Sequence, residues 1–178
     1  ADGIEITTLS IILPILKEQW KISEFLQGLL GTILFFGLFI GAISAGIFID
    51  KFGRKKTLEY ASLIQFLLGL YSTTINDVYS FLLLRSIFGF LLGFLIPLIP
   101  TLCAESIPME KRGKITVLVN MSFSLGQFGA SLIAWFCLSD MTKGNWRLML
   151  LICSIPPLIV FLGTRRFMRE SPRYVILQ

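Results

Sequence analysis

An all-α membrane protein of six transmembrane helices is the fold class the sequence predicts. Apolar residues make up 54% of the 178 positions and charged residues 15%, with a mean hydropathy of +0.78. A soluble domain of this size leaves too much of its area exposed to hide that much apolar surface. Long uncharged runs recur at regular intervals, separated by short polar segments rich in Lys and Arg. This balance excludes an ordinary cytosolic enzyme, a disordered chain and a disulfide scaffold.

The first span, Ile6 to Leu16, follows Asp2 and Glu5. Counted from Asp2 it is only fifteen residues, so the first helix reads as truncated. Two acids and no basic leader exclude a signal peptide. Gly28 to Ile49 gives 22 residues without a charge, enough to cross the ~30 Å hydrocarbon core at about 1.5 Å per residue. Tyr60 to Asn76 is a shorter third span, and Tyr79 to Ala104 a fourth, interrupted by Arg85 alone. Ile115 to Ser139 and Leu148 to Thr164 complete the set. Barrel strands are excluded, because the runs are continuous and far exceed the roughly ten alternating residues such a strand needs.

Charge fixes the orientation. The segments after spans two, four and six hold Lys51, Arg54, Lys55, Lys56, Lys111, Arg112, Lys114, Arg165, Arg166, Arg169 and Arg173, eleven in all. Those after spans one, three and five hold four: Lys17, Lys21, Lys143 and Arg147. The positive-inside rule places the first set in the cytoplasm or its equivalent. The net charge of +5 is therefore topological, and no nucleic acid partner is expected. Trp20, Tyr79 and Trp146 fall near span ends, where an aromatic belt would put them.

The sequence has no histidine, so any proton handling falls to carboxylates. Cys103, Cys137 and Cys153 stand singly in apolar stretches and read as small core residues. No metal constellation, nucleophile–base pair or cofactor loop is visible, so neither an enzyme nor a cofactor is expected.

A charge inside a span costs roughly 2.5 kcal/mol or more, which makes Asp2, Glu5 and Arg85 functional candidates. Asp2 and Glu5, spaced i, i+3, share one helix face. A carboxylate of helix one facing Arg85 of helix four would offset both desolvation costs, and protonating it would release the pair. A structural ion pair is the alternative. Asp2 precedes Pro14 by twelve residues and Arg85 precedes Pro97 by twelve, which equates helices one and four in a three-plus-three inverted repeat. Gly37 and Gly41, Gly89 and Gly93, and Ser122, Gly126 and Ala130 recur at four-residue spacing, the pattern of close helix packing in lipid.

The segment Gly46-Ile-Phe-Ile-Asp50-Lys51-Phe-Gly53-Arg54-Lys55-Lys56 carries the most specific signal. It resembles, at every defined position, the Gly-x-x-x-Asp-(Arg/Lys)-x-Gly-(Arg/Lys)-(Arg/Lys) signature of the major facilitator superfamily. In physical terms Gly46 would allow close helix contact, Asp50 would pair with an arginine or cap a helix, and Gly53 would make the turn. Arg85-Ser-Ile-Phe-Gly89 resembles the helix-four arginine motif of sugar porters, and the Glu105 to Arg112 segment resembles the loop that follows it. Arg169-Glu170-Ser171-Pro172-Arg173-Tyr174 is similar to the Pro-Glu-Ser-Pro-Arg-Trp segment after helix six, and Asp2-Gly3-Ile4-Glu5 to the Asp-Gly-x-Asp of aromatic-acid/proton symporters. The whole pattern looks most like synaptic-vesicle-protein-related (SVOP-like) transporters.

The resemblance implies that residues 1–178 are the amino-terminal six-helix bundle of a twelve-helix transporter, with the carboxy-terminal bundle absent from this sequence. It implies Glu5 as the helix-one carboxylate paired with Arg85, with Asp2 beside it. It also implies a cytoplasmic charge network of Asp50, Arg54, Glu105, Arg112, Glu170 and Arg173 that latches the outward-facing state; solvated loop charges are the plainer alternative. The expected function is alternating-access transport of a small organic solute through the lipid bilayer, coupled to protons. A uniporter, or a six-helix remnant serving as a structural subunit of a membrane complex, stays open. Asn120, Ser124 and Gln127 share a face of helix five and are the candidates to meet solute; hydrogen bonding between helices would explain them equally well.

Overall fold

The computed structural model describes residues 1–106, 108–138 and 145–167; the side chains of residues 50, 103–106, 109 and 167 lie outside the description. Six helices follow one another: α1 (Asp2–Trp20), α2 (Glu24–Phe52), α3 (Arg54–Ser72), α4 (Val78–Ser106), α5 (Met109–Cys137) and α6 (Trp146–Phe167). Among the described residues there is no strand. By length and composition alone, α2, α4, α5 and α6 are each long and apolar enough to cross a membrane. The other two, α1 and α3, are 19 residues each and carry charges near their ends. That length still covers about 28 Å.

Local chemistry sets several helix ends. The Ser23 hydroxyl accepts the Leu26 N–H at 3.3 Å and opens α2. The Asp77 carboxylate does the same for α4, accepting the Ser80 N–H at 3.1 Å and its hydroxyl at 3.2 Å. Pro108, with φ −55°, stands immediately before α5. Its fixed φ suits the edge of a helix start, where a missing N–H costs nothing.

The helices outrun the apolar runs that signalled them. Helix α3 begins at Arg54 rather than Tyr60, and α5 at Met109 rather than Ile115. Hydropathy marks what lies in hydrocarbon, whereas the backbone stays helical into the interface because hydrogen bonding there is still internal. Arg54, Lys55, Lys56, Lys111, Arg112 and Lys114 are consequently helical, all but Lys114 in first turns where the macrodipole disfavours cations. A bridge from Lys55 to Glu59 at 3.6 Å offsets part of this in α3. Between α2 and α3 the connection is Gly53 alone, at φ 85° and ψ 157°. Only glycine adopts that region freely.

The three most extensive helix contacts are α2 with α4, α3 with α6, and α1 with α5. Exchanging helices one to three with four to six turns the first of these into the third and the second into itself, as a three-plus-three inverted repeat requires. Helices α1 and α4, the equated pair, both carry internal proline: Pro14 in one, Pro97 and Pro100 in the other. Along α2 and α4, Leu34 meets Gly89 and Leu38 meets Gly93, so these two run parallel. A β-carbon added at Gly37, Gly41, Gly89 or Gly93 would collide with a backbone carbonyl of the facing helix, namely that of Ser86, Phe90, Leu34 or Leu38 respectively. Gly46 is different. A β-carbon there meets nothing within 4 Å, so the close contact expected at this glycine is not made in the bundle.

One hydrophobic cluster joins Leu9, Ile12, Leu34, Phe81, Phe88 and Met149 across the middle and outer part of the bundle. A second joins Ala45, Ile49, Leu58, Leu91, Phe94 and Leu98 on α2, α3 and α4. Large apolar side chains also cover the outside: Phe35, Phe36, Ile43, Trp135 and Phe136 are all exposed. In water such a surface would aggregate; hydrocarbon solvates it.

Candidate functional site

The centre of the bundle holds one ion pair. Arg85 Nη1 lies 3.7 Å from Glu5 Oε2, and the two residues are 0% and 3% exposed. Glu5 is placed one turn into α1 and Arg85 two turns into α4, so the pair joins the two helices that the repeat equates. At 3.7 Å this is a charge contact and not a hydrogen bond. No nitrogen of the guanidinium makes a hydrogen bond to any described residue. Two aromatic faces flank it: Arg85 Cζ is 4.7 Å from the ring centre of Phe81 and 5.4 Å from that of Phe88. Beside the pair, the Thr8 hydroxyl donates to Cys153 Sγ at 3.3 Å, tying α1 to α6. Cys153 is buried and free, and Cys137 is half-buried and free.

Asp2 lies one turn below Glu5, within electrostatic reach of it and close to Gln65 of α3. With Gly3, Ile96, Pro100, Asn120 and Phe123 it lines a cavity of about 520 Å³ between α1, α4 and α5. Neither Glu5 nor Arg85 is among the residues lining it. Asn120 and Ser124 share a second, open groove with Val117, Met121 and Leu125. Gln127, half-buried, packs its side chain close to Gly3 of α1. The face drawn from sequence is thus divided, with Asn120 common to both hollows and Gln127 turned toward α1.

The loop-motif residues gather where α2 ends and α3 begins. Asp50 is in the last turn of α2, Gly53 forms the joint and Arg54 opens α3 half-buried. Glu105 is in the last turn of α4, and Arg112 is exposed in the first turn of α5. The side chains of Asp50 and Glu105 lie outside the description, as do residues Lys143, Glu170 and Arg173 altogether.

At the opposite end, aromatic residues interlock. Trp20 meets Phe81 and Trp146 edge to face, each at 5.7 Å between ring centres, and the Trp146 indole N–H donates to Gln19 at 2.7 Å. Arg147 bonds Asn76 across the same end. Sequence reasoning placed Trp20 and Trp146 in a membrane-edge belt and did not single out Phe81, Phe88 or Gln19. The spacing of Phe81 and Phe88 around Arg85, i−4 and i+3, is the signal that would have found the two rings.

A six-helix inverted repeat with a carboxylate–guanidinium pair buried between α1 and α4, the two helices the repeat equates, defines one half of a major facilitator fold, a multi-pass integral membrane architecture. Solved structures agree. The chain superposes on the partially occluded, inward-open xylose transporter XylE from E. coli with a TM-score of 0.88 at 23% identity, covering 99% of this chain and 48% of that one. The chain belongs to the sugar (and other) transporter family, whose model matches residues 8–178. Among curated relatives it is 32% identical over 174 residues to the svop-1 protein of Caenorhabditis elegans, covering 98% of this chain and 32% of that one. It is 31% identical over 178 residues to organic cation/carnitine transporter 7 of Arabidopsis thaliana, covering 100% and 35%. The chain therefore spans about a third of the length of the curated relatives it matches. The SVOP-like kinship expected from the motifs is borne out.

Proposed function

We propose that residues 1–178 form the amino-terminal bundle of a transporter that moves a small organic solute across a membrane by alternating access, with symport of protons. A second six-helix bundle would complete the solute pathway, which in such folds lies between the halves. The observation that carries the reading is the Glu5–Arg85 pair, two charges placed together where each alone is costly. Protonation of Glu5 dissolves the attraction and alters how α1 and α4 hold together, which is the event a proton-driven cycle needs. Relatives support the chemistry: one related fold is described as a proton:xylose symporter and one relative as an organic cation/carnitine transporter. A sugar-like or organic-ion solute fits the cavity that Asp2 and Asn120 line, because both side chains bond hydroxyl or ammonium groups.

The test uses full-length protein in proteoliposomes. Glu5→Gln, which mimics the protonated acid, should abolish pH-driven uphill accumulation while exchange of solute persists. Arg85→Ala should impair both, because a buried carboxylate is then left alone. Accumulation that remains pH-driven in Glu5→Gln would mean that coupling resides elsewhere, with Asp2 the next residue to test.

A further inference from the structure

We propose that Phe81 and Phe88 are positioning residues for the coupling step, their ring faces holding the Arg85 guanidinium inside the membrane while Glu5 is neutral. The inference rests on the reading of Glu5 and Arg85 as the coupling pair and goes one step further: it says what becomes of the cation when its partner is discharged. A lone guanidinium at this depth is among the costliest groups a bundle can hold. Arg85 has no exposure and no hydrogen bond to any described residue, so once Glu5 is protonated the two rings are its remaining support. Both rings are fully buried. Cation–π attraction is strongest when desolvated in this way.

The length of the ion pair points the same way. Carboxylate and guanidinium, left to themselves in a dry interior, close to a short charge-assisted hydrogen bond. Here they stand 3.7 Å apart while the guanidinium leans on Phe81 at 4.7 Å and Phe88 at 5.4 Å. The rings compete with Glu5 for the cation. Phe81 is itself braced by Trp20, and Trp20 by Trp146, so it has support besides its contact with Arg85. The other titratable groups within electrostatic reach of the pair are the α-amino group of Ala1 and Asp2 at the start of α1, and Cys153 on α6. None of them changes between the variants below.

The experiment titrates Glu5 directly, by the infrared carbonyl band of its protonated form in full-length protein reconstituted in vesicles. The band is assigned by its loss in Glu5→Gln. Removing a ring should let the pair tighten and leave the neutral-Glu5 state with a less supported cation. Phe81→Leu and Phe88→Leu should each need about three- to tenfold more protons to reach the midpoint. Phe88→Tyr, which keeps the ring face, should titrate like the wild type. Successive fluorination of the ring at position 88 keeps its shape while weakening its negative face. It should move the midpoint progressively toward acid, and it covers the case in which a leucine variant fails to fold. Leucine and fluorinated variants that titrate at the wild-type pH would overturn the proposal. Transport that is insensitive to a proton gradient, with the infrared midpoints shifted as expected, would instead overturn the coupling reading and leave the ring assignment standing.

Discussion

Gly89 of α4 lies directly beneath the Leu34 carbonyl of α2, with no room for a β-carbon between them. The same holds at Gly93 under Leu38 and, from the other helix, at Gly37 and Gly41. The α2–α4 contact is therefore backbone against backbone. Lipid supplies no hydrophobic drive to bring helices together, and close approach gains dispersion contacts instead.

Gly89→Val should force the two helices apart. The expected loss is about 1–3 kcal/mol, the usual range for overpacking, read as a lowered midpoint of unfolding in detergent. Gly46→Ala is the control, since a methyl group there enters open space; its effect should stay within about 0.5 kcal/mol. Equal behaviour of the two variants would refute the packing assignment.

Orientation can be checked by labelling. With cysteine introduced singly at 55 and at 143, membrane-impermeant reagent should reach the two from opposite faces. Position 55 lies in the first turn of α3, and both the eleven-to-four charge bias and the alternation of six helices separate the two sites. Labelling from the same face would sink the six-span arrangement.

Asp50→Asn should leave the bundle folded and slow transport severalfold. The residue stands in the last turn of α2, beside the Gly53 joint and the Arg54 that opens α3. Loss of its charge removes one anion from a densely basic corner without touching any packing glycine. Transport at the wild-type rate across a range of ionic strength would show that the corner's charges act as solvated surface groups, each worth ~0–1 kcal/mol.

How much of this was legible in sequence depends on what kind of signal each feature leaves. Six helices were legible because hydrocarbon demands continuous apolar runs, and the lone charges Glu5 and Arg85 advertised each other because neither is tolerable alone. Helix ends were not: Arg54 and Lys111 look like loop residues to hydropathy although their backbones are helical. Phe81 and Phe88 stayed invisible for the opposite reason. They are two of sixteen phenylalanines in an apolar chain, and a ring gains meaning only from the cation it faces. Gly46 misled because a glycine in a helix records permission for close approach, whereas Gly89 and Gly93 show the permission used. The grouping of Asn120, Ser124 and Gln127 followed helical spacing correctly but could not foresee that α1 would take Gln127 for itself.

The joint at Gly53 has a consequence in handedness. At φ 85° and ψ 157° the backbone occupies a region nearly closed to L-amino acids, whatever the size or charge of the side chain. Its mirror image lies at the edge of the extended region open to ordinary residues. Stereochemistry, separately from electrostatics, thus constrains the corner. In a semisynthetic protein D-alanine should fit at position 53 and keep α2 and α3 in register, whereas L-alanine, with the same atoms and the same charge, should strain the turn that joins them.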